Sequence, residues 1–163
     1  MNSLISKRII ITGGSLGIGL AIAKECASKG AEVIIAARNK NDLKDALNTI
    51  KKISNKNHLT YSLDVGDLNS IHQFSEWIDT KGLEINGMVN CAGIYGPIGK
   101  THKVDMKDFA EAIQINLLGT VYMCNVFSPK LVAKKNKKIV NFSGGGGASP
   151  FPNYSAYASS KAA

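Results

Sequence analysis

Paired cysteines are missing from this chain. Cys26, Cys91 and Cys124 stand far apart, and no Cys-x-x-Cys occurs. His58, His72 and His102 do not cluster with them. These absences exclude a disulfide framework and a zinc site, and they leave reduced thiols in a cytoplasmic protein as the expectation. No run reaches the roughly 18 apolar residues that span a bilayer. Met1 to Lys7 leads straight into Arg8-Ile9-Ile10-Ile11, without the ordered regions of a signal peptide. No membrane partner is expected.

Acidic residues are also few. Twelve Asp and Glu face twenty Lys and Arg, for a net charge of +8. Five lysines fall between Pro129 and Lys138. A basic stretch can bind nucleic acid, but no aromatic residues interleave with these lysines. The run reads as a solvated helix end, where lysines suit the negative pole of the helix. No nucleic-acid partner is expected. What remains is ordinary: 163 residues, 44% apolar and 20% charged, the size and composition of one globular domain over residues 1–163.

Strand and helix patterns alternate along the chain. Strands are predicted over Lys7–Thr12, Glu32–Ala37, Leu59–Leu63, Gly87–Cys91 and Lys138–Phe142. Helices are predicted over Leu16–Lys29, with Ile18, Ala21, Ile22 and Cys26 inward, and over Asn41–Ile53, with Leu43, Ala46, Leu47 and Ile50 inward. Asp67 is placed to cap a third helix, Leu68–Thr80, on Ile71, Phe74 and Ile78. Asp105 to about Ala133 is expected to be mostly helical, packing through Phe109, Ile113, Leu117, Val121 and Val126, with Pro129 near its end. Ser143 to Ala156, rich in Gly, Ser and Pro, is expected to be loop. Strands separated by helices give a parallel sheet with helices on both faces, a three-layer, doubly wound α/β fold of the Rossmann type.

Between the first strand and first helix lies Thr12-Gly13-Gly14-Ser15-Leu16-Gly17-Ile18-Gly19. Glycines let backbone approach a pyrophosphate, and the helix N-terminus offers free N–H groups and partial positive charge. Near the other end, Tyr157 and Lys161 stand four residues apart and share a helix face. A phenol titrates near 10, and a neighbouring ammonium favours its phenolate. That pairing suggests a phenol and an ammonium placed to move a proton.

The spacing Thr-Gly-x-x-x-Gly-x-Gly resembles that of the short-chain dehydrogenase/reductase family. Asn90-Cys91-Ala92-Gly93, Asn116 and Tyr157-x-x-x-Lys161 resemble three further motifs of that family, in the family's order. The resemblance covers the whole chain. It implies a single NAD(P)-binding Rossmann domain and an oxidoreductase interconverting a small-molecule carbonyl and a secondary alcohol. Tyr157 would be the general acid/base, and Lys161 would hold the nicotinamide ribose. Asn116 would anchor a water. Thr12, Gly13, Ser15, Leu16, Gly17, Ile18, Gly19, Asn90, Ala92 and Gly93 would line the cofactor with Tyr157 and Lys161. Asp64 and Val65 would meet the adenine; the competing reading of Asp64 is a turn or helix-cap acid.

Where NAD-using relatives tend to carry Asp, this chain has Ala37, followed by Arg38. An arginine beside an absent carboxylate suits the 2′-phosphate of NADP, so NADP is expected, with NAD second. The family's serine usually stands thirteen residues before the tyrosine. That position is Gly144, and Ser143 lies one residue early. Neighbours in extended chain point to opposite faces, but four glycines allow a twist that turns Ser143 inward. Ser149 is another candidate, and a backbone N–H could serve instead. Relatives continue beyond the Tyr–Lys helix. The expectation is therefore a truncated piece, incomplete at the C-terminal edge of the sheet, of a homodimeric or homotetrameric parent. The competing expectation is a catalytically inactive NAD(P)-binding module.

Overall fold

The structure, a computed structural model, describes residues 4–132, 137–149 and 151–163. Five strands, β1 (Arg8–Thr12), β2 (Glu32–Ala37), β3 (Leu59–Ser62), β4 (Gly87–Asn90) and β5 (Lys138–Asn141), form one sheet in the order β3-β2-β1-β4-β5. Every neighbouring pair is parallel. Side chains alternate across β1. Ile10 points into a core with Ile34, Met88, Phe74 and Phe127. Ile11 points into a second core with Val33, Ile35, Ala23, Ala27 and Leu43. The first core is closed by α3 (Leu68–Thr80) and α5 (Gly119–Val132), the second by α1 (Gly17–Ser28) and α2 (Lys40–Lys51). This is the expected three-layer, doubly wound sheet. Strand order reverses beside β1, which opens a crevice at the carboxyl ends of β1 and β4.

Three expectations fail, each for a packing reason. The inner face of α1 is centred on Gly19, Ala23 and Ala27; Ile22 and Cys26 pack against the same core, but Ala21 is exposed and Ile18 is 63% exposed. The helix packs too closely for larger groups: a Cβ on Gly19 would lie 2.2 Å from the Gly13 carbonyl oxygen. The long helix is interrupted. α4 (Met106–Ile113) passes into a π turn, Gln114–Leu118, before α5. The wide turn rotates the inner face, so Met123, Phe127 and Leu131 are buried while Val121 is exposed. Third, the segment read as loop contains α6 (Gly145–Ala148), and α7 (Ser155–Ala162) starts within it. The glycines allow α6 to rest on α7. A Cβ at Gly147 would lie 2.4 Å from the Lys161 carbonyl oxygen.

Asp67 caps α3, accepting from Asn69 N at 2.9 Å. In the basic run, Lys130 pairs with Asp79, and Lys137 lies 3.4 Å from Glu84. Ala133, Lys134 and Lys135 lie outside the described residues. Among those described, no helix is long and apolar enough to cross a membrane, and no cluster of metal-ligating side chains occurs.

His58 sets a pH limit on the fold. It is 3% exposed, and its Nδ1 accepts from Val33 N at 3.2 Å at the start of β2. Burial pushes its pKa below the usual value. The Ser54 backbone and the Glu32 charge oppose this, while Lys51 reinforces it. The unfolded chain therefore takes up the proton first. The neutral ring's contribution is complete above about pH 6.5 and is lost as pH falls through that value toward the lower folded one. Urea midpoints measured from about pH 8 to 5 should fall on this limb, and less steeply in His58→Asn. An equal slope in the variant would assign the effect elsewhere.

Candidate functional site

The crevice begins with an uncapped helix. Asn39, Asp67 and Asp105 cap α2, α3 and α4 with their side chains. Leu16, at the start of α1, makes no side-chain cap, and no acid stands in the first turn. The positive end of α1 is thus left for an external anion. Gly13 holds φ +63°, and a Cβ there would meet Ala92 backbone at 2.8 Å. The turn is glycine because β4's exit lies against it. Thr12 ties the two together, its Oγ1 accepting from Cys91 N and Ala92 N at 3.1 and 3.2 Å. A Cβ on Gly17 would meet nothing within 4 Å, so the outer side of the turn is open.

Two cavities meet at this turn, sharing Gly13, Leu16, Gly93 and Ile94. The first, about 270 Å³, reaches β2 and β3, where Ser15, Arg38, Asp64, Val65 and Ala92 line it. Arg38 is exposed and pairs at 3.6 Å with Glu111, a contact of small worth in water. Asp64 Oδ1 accepts from Gly66 N at 2.9 Å, so the acid shapes its turn while facing the cavity. The second cavity, about 420 Å³, is lined by Gly17, Ile18, Gly19, Ser143, Tyr157 and Lys161. Cys91, Tyr95 and Phe142 line it too, beyond the residues expected from sequence. Asn39 and Asp42 are likewise additions to the first cavity. A clue to Tyr95 was available, because it stands two residues past the Asn-Cys-Ala-Gly motif.

Tyr157 and Lys161 share a face of α7, with Lys161 Nζ 6.0 Å from the phenol ring centroid. Lys161 donates to the Phe142 carbonyl oxygen at 3.0 Å. Burial pushes its ammonium below the usual pKa, opposed by the neighbouring Cys91. Burial pushes the Cys91 thiol up, opposed by Lys161. The Tyr157 hydroxyl rests against Gly144, where a Cβ would come within 2.5 Å of it. Ser143 is exposed and lines the Tyr157 cavity, whereas Ser149 lines neither cavity.

Asn116 and Asn90 stand behind the walls. Asn116 sits in the π turn, 3% exposed. Its amide accepts from Ile94 N and donates to the Ile94 carbonyl oxygen and to Ser160 Oγ, each at 2.8 Å. Ser160 Oγ in turn donates to the Tyr157 carbonyl oxygen at 2.8 Å. The wide turn therefore pins α7 to the segment after β4. Asn90 donates to Asn141 Oδ1 at 2.9 Å, joining β4 to β5.

The fold and this crevice define a Rossmann-type domain: a glycine turn under a free helix end, flanked by two pockets. The chain belongs to the short chain dehydrogenase family, whose model matches residues 7–163. A fatty acyl-CoA reductase of Acinetobacter baylyi is 31% identical, over 96% of this chain and 53% of its own length. An NADPH-dependent pterin aldehyde reductase of Arabidopsis thaliana is 32% identical, over 98% of this chain and 66% of its own. The crystal structure of an NAD+-bound xylitol dehydrogenase superposes with a TM-score of 0.91 at 25% identity, covering 99% of this chain and 62% of that one. The chain spans about half the length of curated relatives such as the first. The family binds NAD(P), and the uncapped helix and open glycine turn fit such a group.

Proposed function

We propose that this chain carries the cofactor site and proton-transfer pair of an NADP(H)-dependent oxidoreductase interconverting a carbonyl compound and a secondary alcohol. The observation that carries the reading is the meeting of two pockets at one glycine turn, with Arg38 in one and Tyr157 and Lys161 in the other. The α1 end and the turn would take the pyrophosphate, Arg38 the 2′-phosphate, and Asp64 and Val65 the adenine. When bound, the cofactor supplies or accepts the hydride. Tyr157 would give its phenolic proton to the former carbonyl oxygen in reduction and take the alcohol proton in oxidation. Lys161 holds a positive charge on the same helix face, beside the phenolate that reduction leaves. Asn116, through Ser160, keeps that face in place. Ser143, which lines the same cavity, would orient the substrate oxygen.

Cofactor choice gives a direct test. A charge-assisted hydrogen bond contributes about 1.5–3 kcal/mol. A phosphate carries more charge than the exposed Glu111 carboxylate, so it displaces that partner. Arg38→Ala should therefore raise the NADPH dissociation constant about tenfold, with a much smaller change for NADH, in a fluorescence titration. Equal loss for both cofactors would remove Arg38 from the phosphate site. Turnover of a ketone panel by the full-length protein tests the reaction itself.

A further inference from the structure

The wall beside Tyr157 is aromatic, and its rings come from separate segments. Tyr95 lines the same cavity as Tyr157, with ring centroids 5.2 Å apart. Tyr154 meets Tyr95 edge-on at 5.6 Å and Phe151 at 4.6 Å. Phe151 lies 6.2 Å from Tyr157. Tyr95, 60% exposed, presents ring surface to the cavity, while Phe151, 43% exposed, stands outside its lining and backs Tyr154.

Backbone bonds hold these segments together. Gly99 N donates to the Asn153 carbonyl oxygen at 2.8 Å, and Tyr154 N donates to the Phe151 carbonyl oxygen at 3.1 Å. Gly96 adopts φ +68° in contact with α4, where a Cβ would lie 2.7 Å from Ala112 Cβ. The rings are therefore set before any ligand arrives, which lowers the ordering cost of binding. Among the described residues, Lys161 is the only charged side chain lining the cavity. A wall of π faces with so little charge favours a flat, uncharged ligand group.

We infer that Tyr95, backed by Tyr154 and Phe151, clamps an aromatic ring, or a comparable flat apolar group, attached to the reacting carbon. The substrate class is then aryl ketones, aryl aldehydes and their alcohols. This rests on the reading of Tyr157 as the proton-transfer residue.

The test uses the full-length protein with NADPH and two ketones, acetophenone and butanone. The wild type should prefer acetophenone in kcat/KM. Tyr95→Ala should cut the acetophenone-to-butanone ratio of kcat/KM by about tenfold, the upper range for one aromatic contact, and Phe151→Ala, which removes only the backing ring, should cut it by less. Tyr95→Phe should keep the ratio. Tyr95→Leu, which retains bulk without a π face, should lower it and guards against a packing defect in the alanine variant. A ratio that ignores both alanine changes, or equal loss for both ketones, would overturn the clamp. If Tyr157→Phe is inert while the ratio ignores Tyr95, the clamp fails and the proton-transfer reading stands. Turnover of neither ketone by the wild type overturns both.

Discussion

Tyr157→Phe is expected to lower kcat by about 10²–10⁴-fold, the range for losing a positioned general acid/base, in a protein that still folds and binds NADPH. The substitution deletes one oxygen and keeps the ring. The ring holds its place through Tyr95 and Phe151 and through α7, itself tied to the π turn by Ser160 and Asn116. The loss should therefore fall on the chemical step. It is read as single-turnover ketone reduction after saturating with NADPH. Retained activity would mean that the proton comes from elsewhere in the cavity, where Cys91, Tyr95, Ser143 and Lys161 are the other side-chain donors in the described wall. That result would remove the proton-transfer role from Tyr157 and leave the cofactor site standing.

The sheet was legible because buried parallel strands read as short β-branched runs, such as Ile9-Ile10-Ile11 and Val33-Ile34-Ile35. α2 and α3 were legible because each buries one ordinary apolar stripe, Leu43, Ala46 and Ile50 in one and Ile71, Phe74 and Ile78 in the other. The face of α1 was not. Its interface is chosen by close approach, so small residues go inward and Ile18 turns to the cavity. Periodicity rewards large apolar side chains and misses this. The π turn was hidden for a related reason: one extra residue per turn leaves no mark in composition. At the site, the Tyr157–Lys161 face followed from spacing along one helix. Tyr95 did not, because its neighbour Tyr154 reaches it through pairing of Gly99 with Asn153 and Tyr154, more than fifty residues away in the chain.

Gly144→Ser should lower kcat by about 10²-fold, the cost of a misplacement near 1 Å, although it restores the serine usual for the family at that position. The serine hydroxyl is the smaller consideration, because Ser143 already lines the Tyr157 cavity. The Cβ is the larger one. At position 144 it would lie 2.5 Å from Tyr157 Oη, 3.0 Å from its Cζ and 3.2 Å from Lys161 Cγ. The phenol tip has to move, and its ring is flanked by Tyr95 and Phe151, so the shift carries Oη away from its present line. Glycine at 144 and serine at 143 are then one arrangement. Moving the serine back one residue in the chain leaves its old place free for the phenol. Gly144→Ala separates the two causes. If the methyl group is responsible, alanine and serine variants lose kcat alike in single-turnover reduction, with NADPH affinity near the wild type. If the hydroxyl is what the site lacks, serine alone raises kcat, and the packing argument at Gly144 is wrong.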